Sequence, residues 1–324
     1  MSEIDRALHE DWHPIAALNE LEKTTIQERC LLGKSLILWR DGDRVAVWEN
    51  RCPHRGAKLS GATVTGDRLV CPYHGLHYDR AGQCVFIPAH PDLKPPDRLH
   101  VRSYPCQIHY DLIWVNLSKN NVPIPEFREW NDPNYRKFLC GPYVYESSGF
   151  RAIENFLDVS HFPFVHDGLL GDRDRPRVEE YTIDRDRDGL KLNNVGVWQP
   201  DPDGTGSGGR VTYDYSVSRP LTASFVKHAS GGKLAIFFTV CPTAEEACVG
   251  WMWIAMNYGQ NLPEAELRAF QDRVVRQDLP IVASQHPKRL PLDLKAEIHL
   301  PCDRASIAYR QWLRELNIRF GTLW

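Results

Sequence analysis

The chain has 324 residues, 25 % of them charged, and a formal net charge of −3. This balance gives no reason to expect nucleic acid or an anionic membrane as a partner. Met1 to Glu10 contains no basic segment followed by an apolar run, and no apolar run approaches the length of a membrane span. We therefore expect a cytoplasmic protein, in which the nine cysteines are buried thiols or metal ligands rather than disulfides.

The first third of the sequence predicts short β-strands joined by tight turns. Strand-like runs at residues 35–40 and 45–49 flank Asp41-Gly42-Asp43, which is typical of a hairpin turn. A second hairpin is predicted over residues 77–87 and a further strand over residues 112–117. These patterns indicate an all-β first domain.

Prolines at positions 123, 125, 133 and 142 predict an irregular stretch. We therefore place a first domain at residues 1–118, a linker at residues 119–145 and a second domain at residues 146–324. The glycine-rich segment 201–209 is predicted to be a turn, because no helix follows that would make it a phosphate cradle.

The second domain mixes helix and strand patterns. A helix is predicted to begin near Ile153, with Asn261 as the N-cap of a second helix and Asp303 as the N-cap of the last. Strand-like runs lie between these helices, around residue 181 and over residues 190–198, 211–217, 235–240 and 250–256.

Two cysteine–histidine pairs form the first group of candidate metal ligands. Cys52-Pro53-His54 is followed, after sixteen residues, by Cys71-Pro72-Tyr73-His74. A zinc finger usually groups its cysteines together and its histidines together, whereas here each loop supplies one thiolate and one imidazole. That arrangement suits a two-iron cluster in which one iron takes both sulfurs and the other takes both nitrogens.

Polar residues recur at every third position in the segment 154–166. Asn155, Asp158 and His161 would lie along one side of a helix. Asp158 would then stand one turn before His161 and could accept its ring N–H, which fixes the tautomer of a metal-binding imidazole. The alternative for Asp158 is an aspartate that the helix dipole favours.

His161 and His166 are predicted to bind one metal ion. On an unbroken helix they would point about 140° apart, but Pro163 disfavours helix at Phe162 and breaks it between them. Two histidines call for a carboxylate to complete a facial triad, which leaves open positions for O2 and substrate.

Asp278 is the predicted carboxylate, because it falls on the apolar side of a later helix, where a carboxylate is costly unless paired or bound to metal. Asp272 lies closer to the opposite face. The apolar side is marked by Leu267, Phe270, Val274 and Val282. Taken alone, His161, His166 and Asp278 could also form a zinc site or a hydrogen-bonded core network; beside an iron–sulfur centre, iron is favoured.

These motifs resemble those of the Rieske oxygenase α-subunit family, from about Asp11 to Gly321. The shared signatures are Cys52-Pro53-His54-Arg55-Gly56, Cys71-Pro72-Tyr73-His74-Gly75, Asn155-x-x-Asp158-x-x-His161-x-x-x-x-His166 and the tail from Asp303 to Leu313. The tail and the short length resemble the monooxygenase and demethylase branch, such as vanillate O-demethylase oxygenases, and Glu297-Ile298-His299 resembles the saxitoxin-pathway hydroxylases. One departure is Leu76, where the family often has tryptophan after the glycine.

The resemblance implies an α+β protein: an N-terminal all-β Rieske [2Fe-2S] domain and a C-terminal helix-grip (START-like) catalytic domain with an antiparallel sheet and helices. It implies a homotrimer in which the cluster of one subunit faces the mononuclear iron of its neighbour. It places Asn155 and Asp158 among the catalytic residues, with Asp158 bridging a cluster histidine of one chain to an iron-ligating histidine of the next.

The chemistry expected from two iron centres is O2-dependent hydroxylation or oxidative demethylation of a small organic molecule at mononuclear Fe(II). The pocket should be mostly apolar, so that the oxidant is not lost to water. Its predicted wall residues, each of which could instead be ordinary core, are Phe225, Phe238, Met252, Trp253 and Asn257.

The sequence lacks a dinucleotide fingerprint and the cysteine spacing of a plant-type ferredoxin. Electrons from NAD(P)H must therefore arrive through a separate flavin reductase, a ferredoxin or both. Two alternatives stay open at this point: an aromatic-ring cis-dihydroxylating dioxygenase, and a Rieske electron carrier without catalysis, which would leave residues 150–324 unexplained. A zinc hydrolase that uses only the second site is a more remote third.

Overall fold

A computed structural model of the chain describes residues 5–22, 26–41, 44–118, 122–186 and 189–324. The chain forms two compact units: residues 9–124 make up one, and residues 125–324 with the N-terminal residues up to 8 make up the other. A short helix, α1 (Arg6–His9), lies where the first division falls. The second division falls inside the predicted linker.

The unit of residues 9–124 is built from short antiparallel strands, as predicted. They form three sheets with the strand orders β1-β11-β10, β2-β3-β4-β9 and β5-β6-β7-β8. The strands are β1 (Trp12–Ala17), β2 (Ile26–Leu31), β3 (Lys34–Asp41), β4 (Arg44–Glu49), β5 (Thr63–Thr65), β6 (Arg68–Val70), β7 (His77–Tyr78), β8 (Cys84–Phe86), β9 (Ser103–Tyr104), β10 (Cys106–His109) and β11 (Leu112–Asn116). Gly42 and Asp43 of the predicted hairpin turn lie outside the described residues.

The core of this unit reaches the two cysteine–histidine loops. Trp39 and Trp48 pack edge to face, with ring centroids 5.0 Å apart, and the same cluster of buried side chains includes Cys52, Cys71 and Leu76. Leu76 is 3 % exposed. The position where the family often has tryptophan is therefore filled here by a smaller core residue.

The unit of residues 125–324 is organised by one seven-stranded antiparallel sheet with the order β12-β18-β17-β16-β15-β14-β13, beside a short parallel pair, β19-β20. Its strands are β12 (Arg136–Tyr145), β13 (Thr182–Asp186), β14 (Gly189–Gln199), β15 (Gly209–Arg219), β16 (Thr222–Ala229), β17 (Gly232–Ala244), β18 (Ala247–Met256), β19 (Leu290–Pro291) and β20 (Thr322–Leu323). Its helices are α2 (Gly149–Leu157), α3 (Phe162–Val165), α4 (Glu264–Ser284) and α5 (Arg304–Glu315). Helix α4 packs on β12, α2 on β16 to β18, and α5 on β13 and β14.

Several elements of this unit differ from the sequence prediction. The stretch read as irregular up to Pro142 contains β12; its pairing with β18 shifts register between Cys140 and Tyr143, which lets the strand accommodate a proline. Strand β16 was not predicted. Pro263, not Asn261, is the N-cap of α4.

The helix ends are set by local residues. Helix α2 begins at Gly149, earlier than predicted, because the Ser148 hydroxyl accepts the N–H of Arg151. Asp303 is the N-cap of α5, as predicted. None of the nine cysteines, all within the described ranges, forms a disulfide. The described helices include none with the length and hydropathy needed to cross a membrane.

Candidate metal centres

The two cysteine–histidine loops have the same backbone structure. In the first, the Cys52 N–H donates to the carbonyl of Ala57 at 2.8 Å, and the Gly56 N–H donates back to the carbonyl of Cys52 at 2.9 Å. In the second, Cys71 donates to Leu76 at 2.9 Å and Gly75 donates to Cys71 at 3.1 Å. Both glycines have φ near +70° (+75° and +64°), a left-handed conformation that favours glycine. Both loops share this hydrogen-bond pattern, and the left-handed residue that it requires explains why each sequence motif ends in glycine.

The four donors of these loops divide into a buried pair and an exposed pair. Cys52 and Cys71 are each 2 % exposed, whereas His54 and His74 lie at the surface with ring centroids 4.6 Å apart. A hydrogen bond from the Cys71 thiol lowers the pKa of Cys52 to about 5, and the same contact raises the pKa of Cys71. One buried sulfur therefore carries negative charge readily, as a metal-binding thiolate must.

The spacing of these donors fits two metal ions better than one. Among the described residues, only His161, His166 and Asp278 form a group of three or more potential ligands whose donor atoms all lie within 4.8 Å of one another. No three donors of the two loops meet that limit, as a single tetrahedral zinc would require. A two-iron cluster, with the sulfurs on one iron and the nitrogens on the other, fits the loops.

The second group is positioned by a helix break that lies earlier than predicted. Helix α2 ends at Leu157, and Asp158 has extended backbone angles, φ −87° and ψ 129°. Its Oδ1 accepts the N–H of Ser160 at 2.7 Å and the Ser160 hydroxyl at 2.6 Å, a local bond that competes with continued helix. The prediction that Pro163 breaks the helix was wrong, because this proline lies in the first turn of α3, where proline is favoured.

Helix α3 places the two histidines at its two ends. His161 is its N-cap and His166 its C-cap, so the short helix sets their separation. The two Nε2 atoms lie 3.3 Å apart. Asp278 Oδ1, from helix α4, lies 3.4 Å from Nε2 of His161 and 3.1 Å from Nε2 of His166. The structure thus brings all three predicted residues together.

The outer ring nitrogens of both histidines are already bonded. Nδ1 of His161 donates to Asp158 Oδ2 at 3.2 Å, and Nδ1 of His166 donates to Gln277 Oε1 at 2.9 Å. In the neutral tautomer, each Nε2 then carries a lone pair directed at the other and at the Asp278 oxygen. Three lone pairs facing one another repel unless a cation lies between them, so this donor set fits a metal ion.

Electrostatics lead to the same conclusion. Burial lowers the pKa of His161, but the facing carboxylates of Asp158 and Asp278 outweigh it and raise that pKa to about 9. Burial raises the pKa of Asp278, but the two imidazoles that face it outweigh that and leave it lowered. No donor of the described residues makes a well-directed hydrogen bond to the buried Oδ1 of Asp278. The site therefore favours positive charge, which a divalent cation supplies.

The three donors line a cavity between the helices and the sheet. Three of the predicted wall residues, Phe225, Phe238 and Met252, line it, as does Asn155. Most of the wall is apolar, and the additional polar residues on it are Tyr145, Tyr213, Lys227 and Gln271.

Trp253 and Asn257 do not line the cavity, and their prediction as wall residues was wrong. Successive residues of a strand point to opposite faces, so Trp253 lies on the other side of β18 from Met252 and packs on Trp130, with centroids 4.8 Å apart. Asn257 is exposed beyond the end of β18, where its Oδ1 accepts the N–H of Lys233.

Three residues at or near the centres were not predicted from the sequence. Gln277 adjoins Asp278, and its position next to a predicted ligand was the available signal. Tyr78, whose hydroxyl lies 3.1 Å from the Cys52 sulfur, carried no signal beyond a place in a predicted hairpin. The only signal for Lys227 was its place two residues after Phe225, a predicted wall residue.

Comparisons with known proteins cover both units of the chain. Residues 11–105 match the family model of the Rieske [2Fe-2S] domain, and residues 150–318 match that of the vanillate O-demethylase oxygenase C-terminal domain. The methylxanthine N1-demethylase NdmA of Pseudomonas putida is 33 % identical over 94 % of this chain and 88 % of its own length. The chain is a Rieske oxygenase of the demethylase branch.

Solved structures of relatives resemble this Rieske oxygenase as well. A structure of NdmA with caffeine has a TM-score of 0.84 and 32 % identity, covering 95 % of this chain and 91 % of that one. The methylxanthine N3-demethylase NdmB of Pseudomonas putida is 32 % identical over 95 % of this chain and 89 % of its own length. The oxidoreductase NdmD of the same organism matches only 33 % of this chain and 19 % of its own length, at 41 % identity.

The Rieske oxygenase is the oxygenase component of a multicomponent monooxygenase. It uses a [2Fe-2S] cluster, mononuclear iron and O2 to hydroxylate or oxidatively demethylate a small organic molecule, with electrons from a separate reductase. The alternatives of an electron carrier without catalysis and of a zinc hydrolase are thereby wrong, because the second unit matches an oxygenase domain.

Proposed function

We propose that this oxygenase removes a methyl group from a nitrogen or oxygen atom of its substrate, at an iron held by His161, His166 and Asp278. The observation that carries the proposal is the convergence of two imidazole nitrogens and a carboxylate oxygen on one wall of a mainly apolar cavity. Cys52, His54, Cys71 and His74 are the proposed cluster ligands. The names of the relatives NdmA and NdmB, both N-demethylases, support demethylation over other outcomes.

The residues of the chain have separate tasks in this reaction. When bound, the iron centres supply the electrons and the activation of O2. Asp158 and Gln277 hold the imidazoles of His161 and His166 in the tautomer that presents Nε2. The aromatic wall around Phe225 and Phe238 keeps water away from the reacting methyl group and holds that group beside the metal ligands.

The proposed reaction removes the methyl group in two steps. The methyl C–H becomes C–OH with one oxygen atom of O2, and the other oxygen leaves as water after taking up two electrons and two protons. The resulting carbinol then breaks its C–N or C–O bond, releases formaldehyde and returns a proton to the nitrogen or oxygen.

Formaldehyde therefore tests the proposal. Protein reconstituted anaerobically with iron and sulfide would be supplied with a flavin reductase and screened against N-methyl and O-methyl aromatic compounds, with O2 uptake and formaldehyde followed together. We expect formaldehyde in proportion to the O2 consumed. A cis-diol, or a stable hydroxylated product without formaldehyde, would contradict demethylation and favour the dioxygenase or a simple hydroxylase.

We further propose that the chain works as a homotrimer, with electrons that come from a flavin reductase directly or through a ferredoxin. Asp158 supports the trimer, since its side chain keeps 31 % exposure while bonded to His161 and could reach a cluster histidine of a neighbouring chain. His54 and His74 are exposed on their own unit. Asp158→Asn should keep both metals yet slow single-turnover electron transfer in a trimer confirmed by sedimentation; an unchanged rate would contradict the bridging role.

A further inference from the structure

A lysine lies on the wall of the catalytic cavity. Lys227 belongs to β16, two residues from Phe225, and therefore shares its face of the sheet. Its cross-strand partners are Tyr213 on β15 and Leu234 on β17, and all four residues line the cavity. The lysine is only 8 % exposed.

The ammonium of Lys227 has hydrogen-bond acceptors but no anionic partner. Its Nζ donates to the carbonyl of Pro202 at 2.7 Å and reaches Gln199 Oε1 at 3.5 Å. Neither acceptor is charged, and the carboxylates of the described residues that act on Lys227 do so without a hydrogen bond. A buried ammonium without a counter-charge is costly. Burial accordingly lowers the pKa of Lys227 to about 8.

The nearest negative charges are poor substitutes for a counter-ion. Asp201 and Asp203 are the carboxylates that act on Lys227, and they act only through space. Asp203 is engaged with Thr205 and Ser230 at the protein surface. Asp278 of the metal set is not among the charges that act on Lys227.

We infer that Lys227 pairs with an anionic oxygen of the substrate, and that this oxygenase therefore takes anions whose methyl group is presented to the metal ligands. The inference rests on the proposed function and narrows its substrate class. The anionic oxygen can belong to a carboxylate on an aromatic ring or to the deprotonated ring of an N-methylated uric acid. Neutral N-methylated rings such as caffeine, which a structure of the relative NdmA contains, would leave the ammonium without an anionic partner.

Binding to the iron-loaded, O2-free trimer or monomer, measured by titration calorimetry, tests the inference without turnover. Two pairs of probes differ in charge at similar shape: 3-methoxybenzoate against 3-methoxybenzamide, and 1,3,7-trimethylurate against caffeine. We expect the anion of at least one pair to bind roughly 30-fold or more tightly than its neutral counterpart, the loss typical of removing one partner of a buried charge pair. The pair that shows the preference identifies the source of the anionic oxygen.

Variants locate the effect at the lysine. Lys227→Met should abolish the preference with little change in binding of the neutral probe, and Lys227→Arg should retain part of it. Lys191→Met, at an exposed lysine of the same sheet on β14, is the matched control and should keep the full preference. Thermal unfolding of each variant confirms the fold.

Two results would overturn the inference: wild-type protein that binds neither anion more tightly than its neutral counterpart, or a preference that survives in Lys227→Met. Failure of the proposed function is distinguishable from both. In that case the anion binds with the expected preference, but no formaldehyde forms when reductase and O2 are added.

Discussion

The two proposed metal centres of this chain are assembled over different distances in sequence, one by main-chain and the other by side-chain hydrogen bonds. Each cysteine–histidine loop fixes its donors through main-chain hydrogen bonds that close within six residues, such as Cys52 N–H to the Ala57 carbonyl. The mononuclear set joins helix α3 to helix α4, and 111 residues separate His166 from Gln277, its hydrogen-bond partner. Side chains, not backbone, orient its imidazoles.

This difference determines which substitutions each centre tolerates. The loops depend on turn geometry, which follows from a few adjacent residues and their glycines. The mononuclear set depends on three layers of side chains: the donors, the residues that hold the donors, and the packing of α4 on β12. Substitutions away from the ligands should therefore disturb the mononuclear set more than the cluster.

Removing one ligand from each centre gives the largest expected effect. His166→Ala should abolish turnover and lose the mononuclear iron while the visible and EPR spectra of the cluster persist, because the loops fold without it. Cys71→Ser should lose the cluster sulfide and keep iron at the second site. The iron-to-sulfide ratio of anaerobically purified variants measures both. Loss of both centres in either variant would show that they do not assemble independently.

Two aspartates on α4 allow a matched comparison at the second centre. Asp278→Asn keeps side-chain volume but removes the charge that faces both Nε2 atoms, so Fe(II) affinity should fall by about 100-fold or more, beyond the usual effect of an outer partner. Asp272→Asn is the control, since Asp272 instead accepts a hydrogen bond from the Tyr143 hydroxyl at 2.7 Å. Competition with a chelator measures the affinities. Equal losses in both variants would contradict the assignment of Asp278 as a ligand.

The same contrast explains what could be predicted from sequence. Cys52, His54, Cys71 and His74 could be predicted as cluster ligands because donor, turn residue and glycine stand within each pentapeptide. Asp278 could be predicted to face His161 and His166 because a carboxylate on the buried side of a helix needs a partner, a signal that belongs to one helix alone.

The errors arose where a local bond or a distant neighbour decided the structure. Helix α2 ends before Asp158 because the Asp158 carboxylate accepts the N–H of Ser160, which competes with a continued helix. Pro163 is the more obvious helix breaker, so the break was predicted there instead. Met252 and Trp253 are neighbours on β18, so only one of them can face the cavity. Which one does so depends on the face of the sheet that helix α2 covers, which the strand pattern alone does not reveal. Lys227 could not be recognised as a cavity residue until β16 was placed between β15 and β17.

Gln277 lies behind the proposed ligands and holds the imidazole of His166. Gln277→Leu removes the acceptor of the His166 Nδ1–H, which should lower Fe(II) affinity and turnover by roughly 10- to 100-fold, as for other outer partners. Gln311→Leu, at an exposed glutamine of α5, is the control and should change neither. Wild-type affinity in Gln277→Leu would mean that packing alone orients the imidazole.

The smallest effect is expected at the cluster, where the side-chain contact to be tested is the one from Tyr78 to Cys52. The Tyr78 hydroxyl lies 3.1 Å from the Cys52 sulfur. Toward a metal-bound thiolate it can only donate, and such a bond favours the more negative, reduced cluster. Tyr78→Phe should therefore lower the reduction potential by an amount on the order of tens of millivolts, since about 59 mV corresponds to a tenfold change for a one-electron couple. Tyr73→Phe is the matched control, because Tyr73 is 65 % exposed on the neighbouring loop. Protein-film voltammetry measures both variants. An unchanged potential in Tyr78→Phe would mean that the main chain alone sets the electronic environment of the cluster. Loss of iron from Tyr78→Phe would mean that side chains hold both centres, which would contradict the difference drawn between them.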